Sequence, residues 1–268
     1  MSAPDDARGI ARDTAPDTAP GDKLNASNAR ARFDGQVVLV AGGTGGLGAA
    51  VARAFLAEGA QVVVTYRQPA EYDALAAALD PSARERLHGR SADVTDDAQA
   101  RALVNAIVAE HGALDALVNA VGGYAGGAPL WQLDAAAFDR LLALNLRAAY
   151  ALARAAMPPM TARGRGVWIN VAAKAGVEPA RGAAVYSASK AAVLALAEAL
   201  AAEVAGTGVR INSVLPSIID TPANRRAMPD ADPANWPKPE EIARVILFLC
   251  SDDARVVHGA ALPVYGAR

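Results

Sequence analysis

Tyr186 and Lys190 stand four residues apart in the segment Tyr186-Ser187-Ala188-Ser189-Lys190. On a helix, that spacing puts both side chains on one face. An ammonium beside a phenol favours the phenolate and lowers the phenol pKa from about 10. That brings a tyrosine into range for proton transfer near neutral pH. Alone, a Tyr-x-x-x-Lys pair is common and is usually a surface contact. A second chemically suggestive segment lies far upstream, at Gly42-Gly43-Thr44-Gly45-Gly46-Leu47-Gly48. Glycines let backbone N–H groups approach a pyrophosphate closely, and a following helix N-terminus adds partial positive charge. Two registers fit: Gly43, Gly45 and Gly48 as GxGxxG, or Gly42, Gly46 and Gly48 as GxxxGxG.

A glycine pattern becomes a strong dinucleotide signal only between a strand and a helix of a βαβ unit. Here it has that context. Gln36 to Ala41 is a β-branched run, and Ala49 to Ala57 resumes with Val51, Phe55 and Leu56 at helical spacing. A ribose 2′-OH would be held by an acid at the end of the second strand. That strand ends Thr65-Tyr66-Arg67, with no acid until Glu71. The Arg67 guanidinium suits a 2′-phosphate instead, which favours NADP(H) over NAD(H).

The elements that would position these groups alternate regularly. Strands are expected at 61–65, 86–92, 116–121, 167–171, 210–215 and 261–264, and helices at 71–79, 97–110, 135–156, 185–205 and 240–250. Pro158-Pro159 is expected to close the helix at 135–156. Apolar strands alternating with helices imply a parallel sheet covered on both faces. Right-handed crossovers then give an α/β, single-domain, Rossmann-like doubly wound sheet over residues 33–268. The irregular stretch Pro216–Pro239 reads as an active-site lid. Residues 1–32, with the tandem DTAP-DTAP, carry too few large aliphatics to fold and read as a disordered tail.

Composition narrows the function classes. The chain has 268 residues, 53% hydrophobic and 20% charged, with a formal charge of −2. So balanced a chain offers no broad electrostatic footprint for nucleic acid or an anionic membrane. The single cysteine, Cys250, ends an apolar run and reads as packing. His88, His111 and His258 have no ligand spacing, so no metal site is expected. No uninterrupted apolar run reaches the roughly 18 residues of a membrane span. The N-terminal residues lack the apolar core of a secretory signal, and their acids argue against a transit peptide. A cytoplasmic location is the resulting expectation.

Taken together, the motifs resemble the short-chain dehydrogenase/reductase family from about Phe33 onward. Gly42, Gly46 and Gly48 match the family's TGxxxGxG turn, with Ala41 in place of Thr. By the same turn, Thr44, Gly45 and Leu47 are placed at the coenzyme. Asp93-Val94 resembles the segment whose Asp contacts adenine, and Asn119-Ala120-Val121-Gly122 resembles NNAG. Asn145 matches the catalytic Asn, which in the family holds a water linked to the Lys. Pro216, Ile219 and Thr221 fall in the segment resembling PGxxxT beside the nicotinamide, with Ser217 where Gly is usual. The resemblance implies that Tyr186 exchanges a proton with the substrate and that Lys190 binds the nicotinamide ribose and tunes Tyr186. It also implies a small-molecule substrate and a homo-oligomer, tetramer or dimer.

One departure stands out. The family's catalytic Ser lies thirteen residues before the Tyr, where this chain has Ala173, with Ala172 beside it. Loss of such a donor costs on the order of 10²–10³ in rate for carbonyl chemistry. Ser187 and Ser189 sit at other azimuths of the helix and are poor substitutes. Gly122-Gly123-Tyr124-Ala125-Gly126-Gly127 is similar to a loop of dihydropteridine reductases, which also lack the Ser. Tyr124 is therefore a substrate-pocket candidate together with Ala173. The leading expectation is an NADP(H)-dependent oxidoreductase acting on a small carbonyl or conjugated cyclic substrate. The alternatives are a dihydropteridine-reductase-like enzyme and a catalytically impaired dinucleotide sensor or scaffold.

Overall fold

The computed structural model describes residues 31–266. The tail expected over 1–32 lies outside the described residues, except for Ala31 and Arg32; the latter pairs with Glu58 at 2.9 Å. In chain order the elements are β1 (Val37–Ala41), α1 (Gly46–Ala57), β2 (Gln61–Tyr66), α2 (Pro69–Ala77), α3 (Pro81–Glu85) and β3 (Leu87–Ser91). There follow α4 (Asp97–His111), β4 (Ala116–Asn119), α5 (Ala135–Leu142), α6 (Ala148–Arg163) and β5 (Gly166–Val171). The chain continues with α7 (Ala184–Glu203), β6 (Val209–Pro216), α8 (Pro222–Ala227), α9 (Pro239–Cys250) and β7 (Ala261–Val264).

The described strands form one seven-stranded sheet, ordered β3-β2-β1-β4-β5-β6-β7. Every neighbouring pair is parallel. This is the Rossmann-like doubly wound arrangement that the alternation of elements requires. Val37, Leu39 and Ala41 of β1 pack on one face with Leu103 of α4, Leu152 of α6 and Val193 of α7. Val38 and Val40 face the other way, with Val51 and Phe55 of α1 and Ile246 of α9. Burial on both faces is why the strands show no polar alternation. Helix α7 has the length and apolar content of a membrane span, yet it packs Val193, Leu194, Ala197 and Ala201 into this core. Cys250 is buried, and burial pushes its thiol up to about 12, so it packs rather than reacts.

Strand order reverses between β1 and β4, whose ends are in register at Ala41 and Asn119. Loops leaving a sheet at such a point diverge and open a crevice. The glycine turn and the segment 120–122 therefore face each other across it.

Two expectations about helices are corrected. The single helix expected at 135–156 is interrupted by a π-helical turn, Ala143–Arg147. Nor do the prolines close it: α6 runs through Pro158 and Pro159 to Arg163 and ends at Gly164 in the left-handed conformation. Met157 and Met160 beyond the break are buried, and Met160 occupies the space beside Gly166, 2.6 Å from where a Cβ would stand. That packing outweighs the backbone bonds lost to the two rings. The lid expected at 216–239 is also partly ordered, into α8 and a 3₁₀ turn at Pro233–Asn235.

Asp115 locks the base of the sheet. Its carboxylate accepts from the Val37 amide at 2.8 Å and from Arg163 at 2.7 Å. Asp115→Ala strands a buried amide and is expected to lower unfolding free energy by about 1–3 kcal/mol, measured by urea denaturation. An unchanged midpoint would show that the bond contributes nothing.

Candidate active site

The glycine turn begins with Gly42 at φ +74°, a conformation that favours glycine. Thr65, at the end of β2, holds this turn by accepting from the Gly42 amide at 2.8 Å. A Cβ on Gly48 would stand 2.1 Å from the Gly42 carbonyl oxygen, and one on Gly46 would meet the Thr221 methyl at 2.9 Å. The turn thus needs Gly42, Gly46 and Gly48, which selects the GxxxGxG register. Gly43 is needed as well, because its Cβ would strike Val64, but a Cβ on Gly45 would meet nothing closer than 3.4 Å, so the GxGxxG register lacks its middle glycine. At the start of α1, Gly45 provides no side-chain cap and the first turn holds no acid. The amide dipoles at this end therefore remain available to an anion.

A cleft of about 690 Å³ opens over this turn. Gly42, Thr44, Gly45, Arg67, Asp93, Val94, Val121 and Gly122 line it, as do Glu71 and Arg140, which the sequence did not single out. Glu71 accepts from the Thr44 hydroxyl at 3.1 Å. The Asp93 carboxylate accepts from the Thr95 amide at 2.9 Å and from its hydroxyl at 2.7 Å, which fixes the turn after β3.

Beyond Gly122 the cleft meets a polar cluster. Asn145 sits in the π-turn and is buried. Its Oδ1 accepts from the Gly123 amide at 2.9 Å, and its Nδ2 donates to the Gly123 carbonyl at 3.1 Å and to Ser189 Oγ at 2.9 Å. Ser189 in turn donates to the Tyr186 carbonyl at 2.7 Å. Lys190 Nζ donates to the Val171 carbonyl at 2.9 Å. Asn145 Oδ1 and Lys190 Nζ lie 2.9 and 3.2 Å from where a Gly122 side chain would begin, so only glycine fits between them. The rings of Tyr124 and Tyr186 meet edge to face, centroids 5.0 Å apart.

The electrostatics differ from the sequence expectation. Burial, followed by the neighbouring Tyr124, pushes Tyr186 up to about 12 rather than down. Burial alone pulls Lys190 down to about 8, and its ammonium is engaged by a carbonyl rather than by the phenol.

Pro216 ends β6, Ile219 is half-buried, and Thr221 caps α8 while its methyl backs the glycine turn. Leu47 is buried beneath the same turn. Asn119 is buried; its Nδ2 donates to Asn170 at 3.0 Å and its Oδ1 accepts from the Val121 amide, tying β4 to β5. Ala173 and Ala172 are both buried and carry no hydroxyl. The roles of Thr65 and Ser189 were not visible in the sequence, since each depends on a partner more than twenty residues away.

Residues 36–232 match the short chain dehydrogenase family. The chain belongs to that family. The 4-formylbenzenesulfonate dehydrogenase TsaC1/TsaC2 of Comamonas testosteroni is 37% identical over 246 residues, spanning 87% of this chain and 97% of that protein. Among solved structures, ElxO with NADP bound superposes with a TM-score of 0.82 at 26% identity, covering 86% of this chain and 97% of that one. An NAD+-bound xylitol dehydrogenase gives a TM-score of 0.80 at 26% identity, covering 88% and 100%. The chain is accordingly an NAD(P)-dependent oxidoreductase with a small-molecule substrate, like other family members.

Lys190 titrates near 8 when folded, against about 10.5 when exposed. Between those values the unfolded chain binds more protons, so this group adds stability as pH rises and withholds it below pH 8. Urea midpoints at pH 7.5 and above pH 10 should therefore converge less in the native protein than in Lys190→Met. An identical pH dependence in both proteins would contradict the assignment.

Proposed function

We propose that this family member is an NADP(H)-dependent oxidoreductase acting on a small carbonyl compound, the corresponding alcohol, or a conjugated cyclic substrate. The observation that carries the reading is the meeting of two parts at Gly122. One is an uncapped glycine cradle that a side chain would fill; the other is the Asn145–Tyr186–Lys190 cluster. When bound, the coenzyme supplies or accepts a hydride at its nicotinamide ring. Gly42, Thr44, Gly45, Gly46, Leu47 and Gly48 would hold its pyrophosphate. Asp93 and Val94 would border the adenine, and Asn119, Val121, Gly122, Pro216, Ile219 and Thr221 would frame the nicotinamide half.

Tyr186 is the proton donor in this reading. Its pKa of about 12 keeps the hydroxyl protonated through the neutral range. Lys190 holds the nicotinamide ribose, and Asn145 fixes both the backbone before Tyr124 and the turn that carries Tyr186. Support for NADP(H) comes from Arg67, exposed at the cleft end of β2, while Glu71 is turned onto the Thr44 hydroxyl. The buried Ala173 favours a second reading, a dinucleotide-binding protein without turnover. The relatives' names suggest a starting panel of aryl aldehydes and polyols, to which cyclic enones and quinonoid rings are added.

Tyr186→Phe is expected to lower turnover by roughly 10²–10⁴ while coenzyme binding, followed by nicotinamide fluorescence, is retained. Full activity in the variant would remove Tyr186 from the chemistry. Absence of turnover in the native protein at intact coenzyme affinity would favour the non-catalytic reading. Arg67→Ala should weaken NADPH binding by about ten- to a hundred-fold, the worth of a charge-assisted bond, and leave NADH binding little changed. Equal loss for both coenzymes would overturn the 2′-phosphate assignment.

A further inference from the structure

The position where the family's serine would stand is occupied by a buried methyl, so a substrate oxygen there would meet only one donor, Tyr186. Nearby hydroxyls are few. Ser189 is fully buried, donates to the Tyr186 carbonyl and accepts from Asn145. Ser187 is buried on the same helix, 5% exposed, and its hydroxyl has no partner among the described residues. Tyr124 differs from both. Its ring abuts that of Tyr186 at 5.0 Å and 74°, and the residue is 66% exposed.

The loop that carries Tyr124 is held on both sides. Before it, the amide and carbonyl of Gly123 are both bonded to Asn145. After it, the Gly127 amide donates to the Gly182 carbonyl at 2.9 Å, immediately before α7. Between them, Gly126 leaves room for the phenol: a Cβ there would stand 2.4 Å from the Tyr124 hydroxyl. Asn145 also reaches the Tyr186 turn through Ser189. One buried amide thus bonds both the backbone before Tyr124 and, through Ser189, the turn that carries Tyr186.

From this we propose that the Tyr124 hydroxyl hydrogen-bonds the reacting oxygen of the substrate in place of the hydroxyl that Ala173 lacks, which makes this a two-tyrosine site. The inference rests on the oxidoreductase reading. In the reducing direction the carbonyl carbon gains a hydride, a C–H bond forms and the coenzyme is oxidised by two electrons. The oxygen takes the Tyr186 proton, and the C=O π bond breaks. Tyr124 keeps its proton and contributes a hydrogen bond that strengthens as charge grows on the oxygen.

The test is a cycle of Tyr124→Phe and Ala173→Ser, assayed on the panel substrate with the highest native kcat/KM and with Tyr186→Phe as control. Tyr124→Phe keeps the ring and removes only the donor. It should lower kcat by roughly 10²-fold with KM and coenzyme Kd little changed. Ala173→Ser should restore most of that loss in the Tyr124→Phe background. Because Tyr124 raises the Tyr186 pKa, Tyr124→Phe should also move the Tyr186 step of a phenolate absorbance titration to lower pH in the coenzyme-free protein. If Tyr124→Phe retains native kcat while Tyr186→Phe is inactive, the two-tyrosine site is overturned and the oxidoreductase reading survives. A kcat loss that Ala173→Ser does not recover means that the Tyr124 hydroxyl does not act at the serine position and overturns the inference equally. If the native protein turns over nothing on the panel, the oxidoreductase reading falls and this inference with it.

Discussion

The site depends on a buried primary amide with no freedom left. Both Nδ2 hydrogens of Asn145 and one lone pair of its Oδ1 are engaged by Gly123 and Ser189. A regular helix from 135 to 163 would turn position 145 by the ordinary step of its neighbours. The π-turn at 143–147 widens the helix there, and Asn145 is the one residue of that turn that is fully buried. Leaving such an amide unpaired in the interior would cost about 1–3 kcal/mol per group. The glycine loop and the Tyr186 turn are thus pulled to fixed places by the cost of the alternative.

The same logic runs through the coenzyme side. Thr65 serves the Gly42 amide across a strand boundary, and Thr221 presses its methyl where Gly46 has no side chain. Neither threonine carries a charge. Both make the glycine turn rigid, so that little ordering remains to be done when an anion arrives. The cradle is built by steric exclusion, and its attraction comes from the uncapped start of α1.

What could be read from the sequence followed its local signals. Strands of unbroken β-branched residues, the glycines after β1 and the Tyr–Lys spacing on α7 are all short-range patterns, and they gave the sheet and the place of its crevice. The features that were missed are long-range. Pro158-Pro159 reads as a stop, yet Met160 packing beside Gly166 carries the helix past it. Nothing in Ala143–Arg147 marks a π-turn, because its cause is the set of partners waiting for Asn145. Ser189 looked like a poor donor for a substrate; its true partners are the Tyr186 carbonyl and Asn145. The sign of the Tyr186 shift also escaped, since spacing shows that Lys190 shares a face with the phenol but not that its Nζ turns to Val171.

That last point shapes the chemistry. Proximity of an ammonium was expected to acidify the phenol, but burial acts on both groups and opposes charge on each. It raises Tyr186 and lowers Lys190, so the two pKa values move toward and past one another, to about 12 and about 8. In the free protein the phenol therefore holds its proton firmly. That suits a donor to a carbonyl oxygen and disfavours a base that must take a proton from an alcohol. A cation brought within about 4–6 Å would oppose that bias, because a nearby positive charge favours the phenolate. The protein itself supplies a buried ammonium, Lys190, held on the Val171 carbonyl rather than on the phenol.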